Sequence, residues 1–274
     1  MRERPDGARL ADPVQQDPFR LCAQEPPFVQ SRASPHMSDS CERGRIRIKP
    51  AIRGKTASLA RLLVLTLFLE SGLIIRGRPD LPVFSEEESR AIIDTAHRRG
   101  VPVTVHVTAV MNLAKAVDYG FDEIAHMVAD RLSDGQLITK MIASDIHWVP
   151  TLELWSFFNL APAAVANLRG FVQAGGKVAL GTDFSGALKP FQLGMPMREI
   201  ELMQEAGMTP MQIVVAATKH AAHVCNLEAT LGTLERGKVA DVLVVNGDPL
   251  QDLHALTNVR LVVRSGTIIR DTGS

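Results

Sequence analysis

The sequence predicts an α/β protein assembled from repeated strand–helix units, and three observations carry that fold class. The stretch "VPVTVHVT" (101–108) alternates valine with another residue at period 2, as a strand with one apolar face does. Beyond Leu59, short apolar alternations take turns with helical patterns of 10–15 residues, the signature of βαβ units around a parallel sheet. Helix-start and helix-stop residues fall at the junctions between these patterns. Such repetition fits a (β/α) barrel or a doubly wound sheet.

The elements follow in order. "FSEEESRAIIDTAHRRG" opens with the capping box Ser85-x-x-Glu88 and closes on Arg98, Arg99 and Gly100, with Ala91, Ile92 and Ala96 as its buried stripe. The strand 101–108 comes next, then a helix "NLAKAVDYG" stopped by Gly120 and a strand "FDEIAHM". "SDGQLITKMIAS" reads as a helix capped by Ser133, "IHWVPT" as a strand, and "AAVANLRGFVQAGG" as a helix ending at a glycine pair. A strand "KVALGTD" and a helix "MREIELMQEAG" follow. "TPMQIVVAATKHAAHVC" starts a last helix, with Thr209 as cap and Pro210 at its first position. By contrast, residues 1–58 show no period of 2 or 3.6 and are expected to be a disordered or atypical segment. A basic tail gripping RNA is the sharper alternative there, weakened by interspersed acids and scarce aromatics.

Composition excludes several function classes. The chain has 274 residues, 46% of them hydrophobic, with 30 Lys+Arg against 30 Asp+Glu. This balance gives no long-range attraction to nucleic acid or an anionic membrane. Cys22, Cys41 and Cys225 are odd in number and form no CxxC pair, which points to a reducing compartment and away from a disulfide framework or a thiolate zinc site. The longest apolar run, Leu62 to Leu69, is far short of the ~20 residues a membrane helix requires. No signal peptide is evident at the start. The expectation is a soluble, cytoplasmic protein that takes a small-molecule substrate, with no nucleic acid or membrane partner.

In a (β/α) barrel, chemistry sits where the strands end at their C-terminal face. The alternation is expected to turn the valines of 101–107 outward against helices and Thr104, His106 and Thr108 inward. The same parity turns Asp122, Ile124 and His126 inward, and puts Ala179, Gly181 and Asp183 on one face; Thr151 ends its own strand. Three units therefore offer His106, His126 and Asp183 at equivalent strand ends. Two imidazoles and a carboxylate suit a divalent metal, zinc first, whose bound water has a pKa near ~7. Asp183 would then carry the proton. Each residue also has an ordinary reading: a strand-end histidine as a hydrogen-bonded core residue, an aspartate after "GT" as a cap. Their matched positions favour the metal. His97 suits a helix C-terminus, and His147 opens its strand at the opposite face. His220 and His223 form an H-x-x-H without an acidic companion, and His36 and His254 fall in loops.

"VTVHVTAVMNLAKAVDYGFDEIAHM", "VPTLELW", "GGKVALGTDFSG" and "AATKHAAHVCNLEATLGTLERGKVADVLVVNGDPL" together resemble the second half of the amidohydrolase superfamily, nearest its imidazolonepropionase and Xaa-Pro dipeptidase-like branch. The resemblance covers roughly residues 80 to 270. It implies a partial (β/α)8 TIM-type barrel, about strands 4–8, over residues 59–228. Residues 229–274 would then be the remnant of a β-sandwich, with strands around 239–245, 261–263 and 267–269. It further implies hydrolysis of a carbon–nitrogen bond, one or two divalent metal ions, His106 and His126 as ligands of strands 5 and 6, and Asp183 as ligand and proton shuttle of strand 8. Loops bearing Trp155, Phe157, Phe158, Phe184 and Phe191 would select the substrate.

The departures are equally specific. The family's first strand carries an H-x-H, and this chain has none. Where many relatives supply a lysine on strand 4, Thr66 stands, with Glu70 on the same parity as a weaker substitute and Lys49 and Lys55 as poor ones. Five βα units cannot close an eight-stranded barrel. The expectation is a truncated form of a longer hydrolase, with association of two copies across the open edge as a second reading. A catalytically inactive remnant is the alternative to an active enzyme.

Overall fold

The computed structural model describes residues 64–70, 83–183 and 194–273. The 1–58 expectation, Phe184 and Phe191 lie outside them. Five strands form one parallel sheet: β1 (Leu65–Phe68), β2 (Val103–His106), β3 (Glu123–Ala125), β4 (His147–Val149) and β5 (Lys177–Val178). They lie in sequence order. A doubly wound sheet reverses its order at a switch point, so that alternative falls. Four crossovers are helical: α1 (Glu86–His97), α2 (Val110–Tyr119), α3 (Gly135–Ala143), and α4 (Leu152–Ser156) followed by α5 (Ala161–Gln173). Past β5 come α6 (Met197–Glu205), α7 (Pro210–Val215) and α8 (Ala221–Val224). No helix among the described residues is long and apolar enough to cross a membrane.

Local chemistry explains the boundaries. The Ser85–Glu88 capping box closes both ways: Glu88 N–H donates to Ser85 Oγ at 3.2 Å and Ser85 N–H to Glu88 Oε2 at 2.9 Å. The buried face of α1 is Ser89, Ile93 and Ala96; of the expected stripe Ala96 is buried, Ile92 half-buried and Ala91 exposed. Gly120, at φ 91°, ends α2 in the left-handed conformation that only glycine adopts without strain. Asp134, not Ser133, caps α3, because its carboxylate reaches the N–H groups of both Gln136 and Leu137. Thr209, Pro210 and Gln212 start α7 as a second capping box. The helix expected to run on from there is interrupted by a π-helical stretch, Ala216–His220, before α8.

The core lies between the sheet and its helices. Val103, Val105 and Val107 are fully buried with Ile93, Leu113 and Ala116, as the alternation expects. Thr104, on the other face of β2, donates to Glu123 Oε2 at 2.6 Å. Trp148 is fully buried edge-on to Phe171, with ring centroids 5.1 Å apart. A separate antiparallel sheet, β6 (Val242–Val245), β7 (Val259–Arg264) and β8 (Thr267–Asp271), occupies the C-terminal segment.

Candidate active site

Register aligns the strand ends. Phe68, His106, Ala125 and Val149 are successive partners across β1 to β4. Just past this row, three strands deliver side chains to one another. Glu70 follows β1, His106 closes β2, and His126 follows β3. Glu70 Oε1 lies 3.5 Å from His106 Nε2. The rings of His106 and His126 meet edge to face, 4.5 Å between centroids, and Phe68 stacks on His106 at 4.6 Å.

His126 reaches this position by a route that strand parity does not foresee. Glu123, not Ile124, shares the face of Thr104 and His106, while Ile124 sits in the apolar core. Strict alternation would therefore send His126 to the helix side. Its backbone instead turns left-handed, at φ 70°, and this rotation brings the ring to His106. A non-glycine residue holds such a conformation only when its surroundings over-determine it. Here the His126 N–H donates to Val149 O at 2.9 Å, and its carbonyl accepts Trp148 Nε1 at 2.6 Å. The ring is then fixed by Thr151 Oγ1, 2.9 Å from Nδ1. Thr151 is left-handed too, at φ 48°.

Electrostatics divides the roles. Burial, helped by the charge of His106, pushes the His126 pKa down to about 3, so its imidazole is neutral across the physiological range. A neutral imidazole is the form that ligates metals. In the tautomer whose Nδ1–H donates to the Thr151 hydroxyl, Nε2 carries the lone pair. Burial alone would raise the Glu70 carboxyl. Hydrogen bonds from His106, Thr108 and Asn112 outweigh it and hold Glu70 below the usual carboxylate range, the Asn112 amide at 2.9 Å and the Thr108 hydroxyl bonded to Oε1.

Asp183 stands differently. β5 ends at Val178, so alternation stops before Asp183, which is exposed and left-handed at φ 54°. Among the described residues no three His, Cys, Asp or Glu side chains are gathered to hold a metal ion. His106, His126 and Glu70 are neighbours here, though their spacing is not yet that of a coordination shell. The chemistry of the donors present, a neutral buried imidazole, a second imidazole and an ionised carboxylate, fits a divalent cation. Trp155, expected to face substrate, is buried against Phe158.

Three buried or clustered groups have no clear sequence signal. Burial pushes Glu123 up to about 7. Glu199 on α6 is fully buried, and its two oxygens accept the N–H groups of Leu152 and Glu153 at 2.8 and 2.7 Å. Burial pushes its carboxyl up to about 8 against those two bonds. At the opposite ends of the strands, His147 stacks on His223 at 4.3 Å and meets His220 edge-on at 5.2 Å. The H-x-x-H spacing does place His220 and His223 on one helical side; nothing in the sequence adds His147.

With this geometry in view, relatives are informative. The chain matches the Amidohydrolase family over residues 68–269 and belongs to it. It is 30% identical over 197 residues to the imidazolonepropionase of Symbiobacterium thermophilum, an alignment spanning 70% of this chain and 45% of that protein. The crystal structure of a Xaa-Pro dipeptidase with methionine bound in its active site superposes with a TM-score of 0.66 at 26% identity, over 76% of this chain and 54% of the other. The A. niger ochratoxinase structure also gives 0.66, at 25% identity, over 77% and 51%. The chain spans about half the length of the curated relatives it matches.

Proposed function

We propose that this chain is the C-terminal part of a metal-dependent hydrolase that cleaves a carbon–nitrogen bond in an amide or cyclic amide. The observation that carries this reading is the pairing of neutral His126 with His106 beside the Glu70 carboxylate, at the C-terminal ends of adjacent parallel strands. The names of the relatives support the substrate class: an imidazolonepropionase and a Xaa-Pro dipeptidase. In this reading the five strands are part of a (β/α)8 barrel, and the three-stranded sheet belongs to a β-sandwich.

His106, His126 and Asp183 would hold the cation, with Glu70 as a further oxygen donor. A divalent cation held there, zinc first, supplies Lewis acidity, lowering the pKa of water toward ~7 and polarising a carbonyl. Thr151 keeps the His126 ring in one orientation, and Thr108 and Asn112 do the same for Glu70. Asp183 takes the proton of the attacking water and returns it to the leaving nitrogen.

A second reading, a chain that folds but turns nothing over, is favoured by one observation: among the described residues no three His, Cys, Asp or Glu side chains stand in an arrangement that could hold a metal ion. Zinc titration by calorimetry decides between them. Near-stoichiometric zinc in the unaltered chain, weakened at least ~10-fold by His106→Ala and by His126→Ala, is expected from the first reading. Equal binding by all three proteins removes the ligand assignment, and no binding by any of them leaves the inactive chain.

A further inference from the structure

Glu199 lies on α6, outside the group of residues proposed to hold the cation, and is fully buried. A buried carboxyl group is costly unless its oxygens are satisfied. Both are: one accepts the Leu152 N–H at 2.8 Å, the other the Glu153 N–H at 2.7 Å. These are the first two residues of α4, and Thr151 directly precedes them. Thr151 is β-branched, and its φ of 48° is a conformation such residues rarely hold. Its own hydroxyl makes no cap bond to α4; it is turned to His126 Nδ1 instead, 2.9 Å away. Something else must therefore hold the start of α4. Glu199 is the side chain that does so.

We infer that Glu199 is a positioning residue: its carboxyl group clamps the first two N–H groups of α4, holding Thr151 left-handed so that the Thr151 hydroxyl orients the His126 imidazole. The inference rests on the reading of His126 as a metal ligand for its consequence, but its geometry does not. Groups that orient a ligating histidine through its second nitrogen typically change metal affinity about 10–100-fold when removed. Gln in place of Glu199 keeps the size, yet its amide NH2 would face one of the two backbone donors.

The test compares Glu199→Gln, Thr151→Val and Thr151→Ser by two readouts. The first is the ¹⁵N shift of His126 Nδ1 in the metal-free chain; the second is zinc affinity. Thr151→Ser is expected to keep the native Nδ1 shift. Thr151→Val and Glu199→Gln are expected to move it alike and to weaken zinc by a similar ~10–100-fold. The double variant is expected to be no worse than Thr151→Val alone. A folded Glu199→Gln protein with the native His126 shift overturns the inference, as do losses that simply add. If Gln unfolds the chain, Glu199→Asp gives the same decision from its His126 shift. Failure of the unaltered chain to bind zinc would defeat the metal reading, while the metal-free shift would still decide the role of Glu199.

Discussion

Trp148→Ala is expected to destabilise the protein by about 3–5 kcal/mol, the usual cost of deleting a large buried aromatic. Trp148 is fully buried and packs its ring edge-on to Phe171. The loss has a second component. Trp148 Nε1 donates to the main-chain carbonyl of His126 at 2.6 Å, and that carbonyl belongs to a residue in a left-handed backbone. Without the indole, the carbonyl loses its buried partner, at a cost of ~1–3 kcal/mol. Trp148→Phe separates the two effects, because phenylalanine fills much of the volume but donates nothing. It is expected to cost about 1–3 kcal/mol, and to weaken zinc more than a core change of equal size far from His126 would. Urea unfolding measures both variants. A Trp148→Phe protein as stable as the parent would show that the indole hydrogen bond does not hold His126 in place.

Much of this architecture is legible in the residues themselves. The period-2 valines of β2, the Ser85–Glu88 and Thr209–Gln212 boxes and the Gly120 stop are local signals, and each decides its element with little tertiary help. His106 is likewise read from alternation, since β2 stays regular up to it. His126 shows where such reading stops. Parity assigns it to the right partner for the wrong reason, because one left-handed residue cancels the alternation, and no sequence signal marks a non-glycine left-handed turn. Asp183 illustrates the opposite outcome. The seven-residue alternation of "KVALGTD" yields only a two-residue strand, so a shared face cannot be extended to its end. Glu70 is a weak candidate on parity alone. Its weight comes from Thr108 and Asn112, whose bonds to it span 38 and 42 residues of sequence. The buried acids Glu123 and Glu199 are invisible to periodicity for the same reason: their partners lie on other elements.

Lowering the pH of the metal-free chain below about 4.5 is expected to unfold it steeply. Burial pushes the His147 pKa down to about 4, with His223, His220 and Lys177 adding repulsion and Asp145 opposing it. His126 is pushed to about 3 and His220 is also lowered. An unfolded histidine binds its proton near 6.5, whereas folded His147 and His126 refuse it until about 4 and about 3. Their contribution is thus complete above 6.5 and is lost as pH falls toward the folded values. Each tenfold change in proton affinity is worth ~1.4 kcal/mol, so protonating the fully buried His126 alone costs several kcal/mol. Glu123 and Glu199 act with the opposite sign. Raised from 4.5 to about 7 and about 8, they stabilise the fold below 4.5 and cease to do so as pH rises through 7 and 8. Between 4.5 and 6.5 the two sets oppose one another, giving a plateau; below 4.5 Glu123 and Glu199 add nothing further, while the histidines, and Glu70 with its lowered carboxyl, lose what they contributed. Stability is also expected to decline from pH 6.5 to 8. His147→Gln should tilt the plateau, so that the variant becomes more stable as pH falls from 6.5 to 4.5. Urea midpoints measured at half-unit intervals of pH test this, and a His147→Gln profile parallel to that of the parent would remove His147 as a source of acid lability.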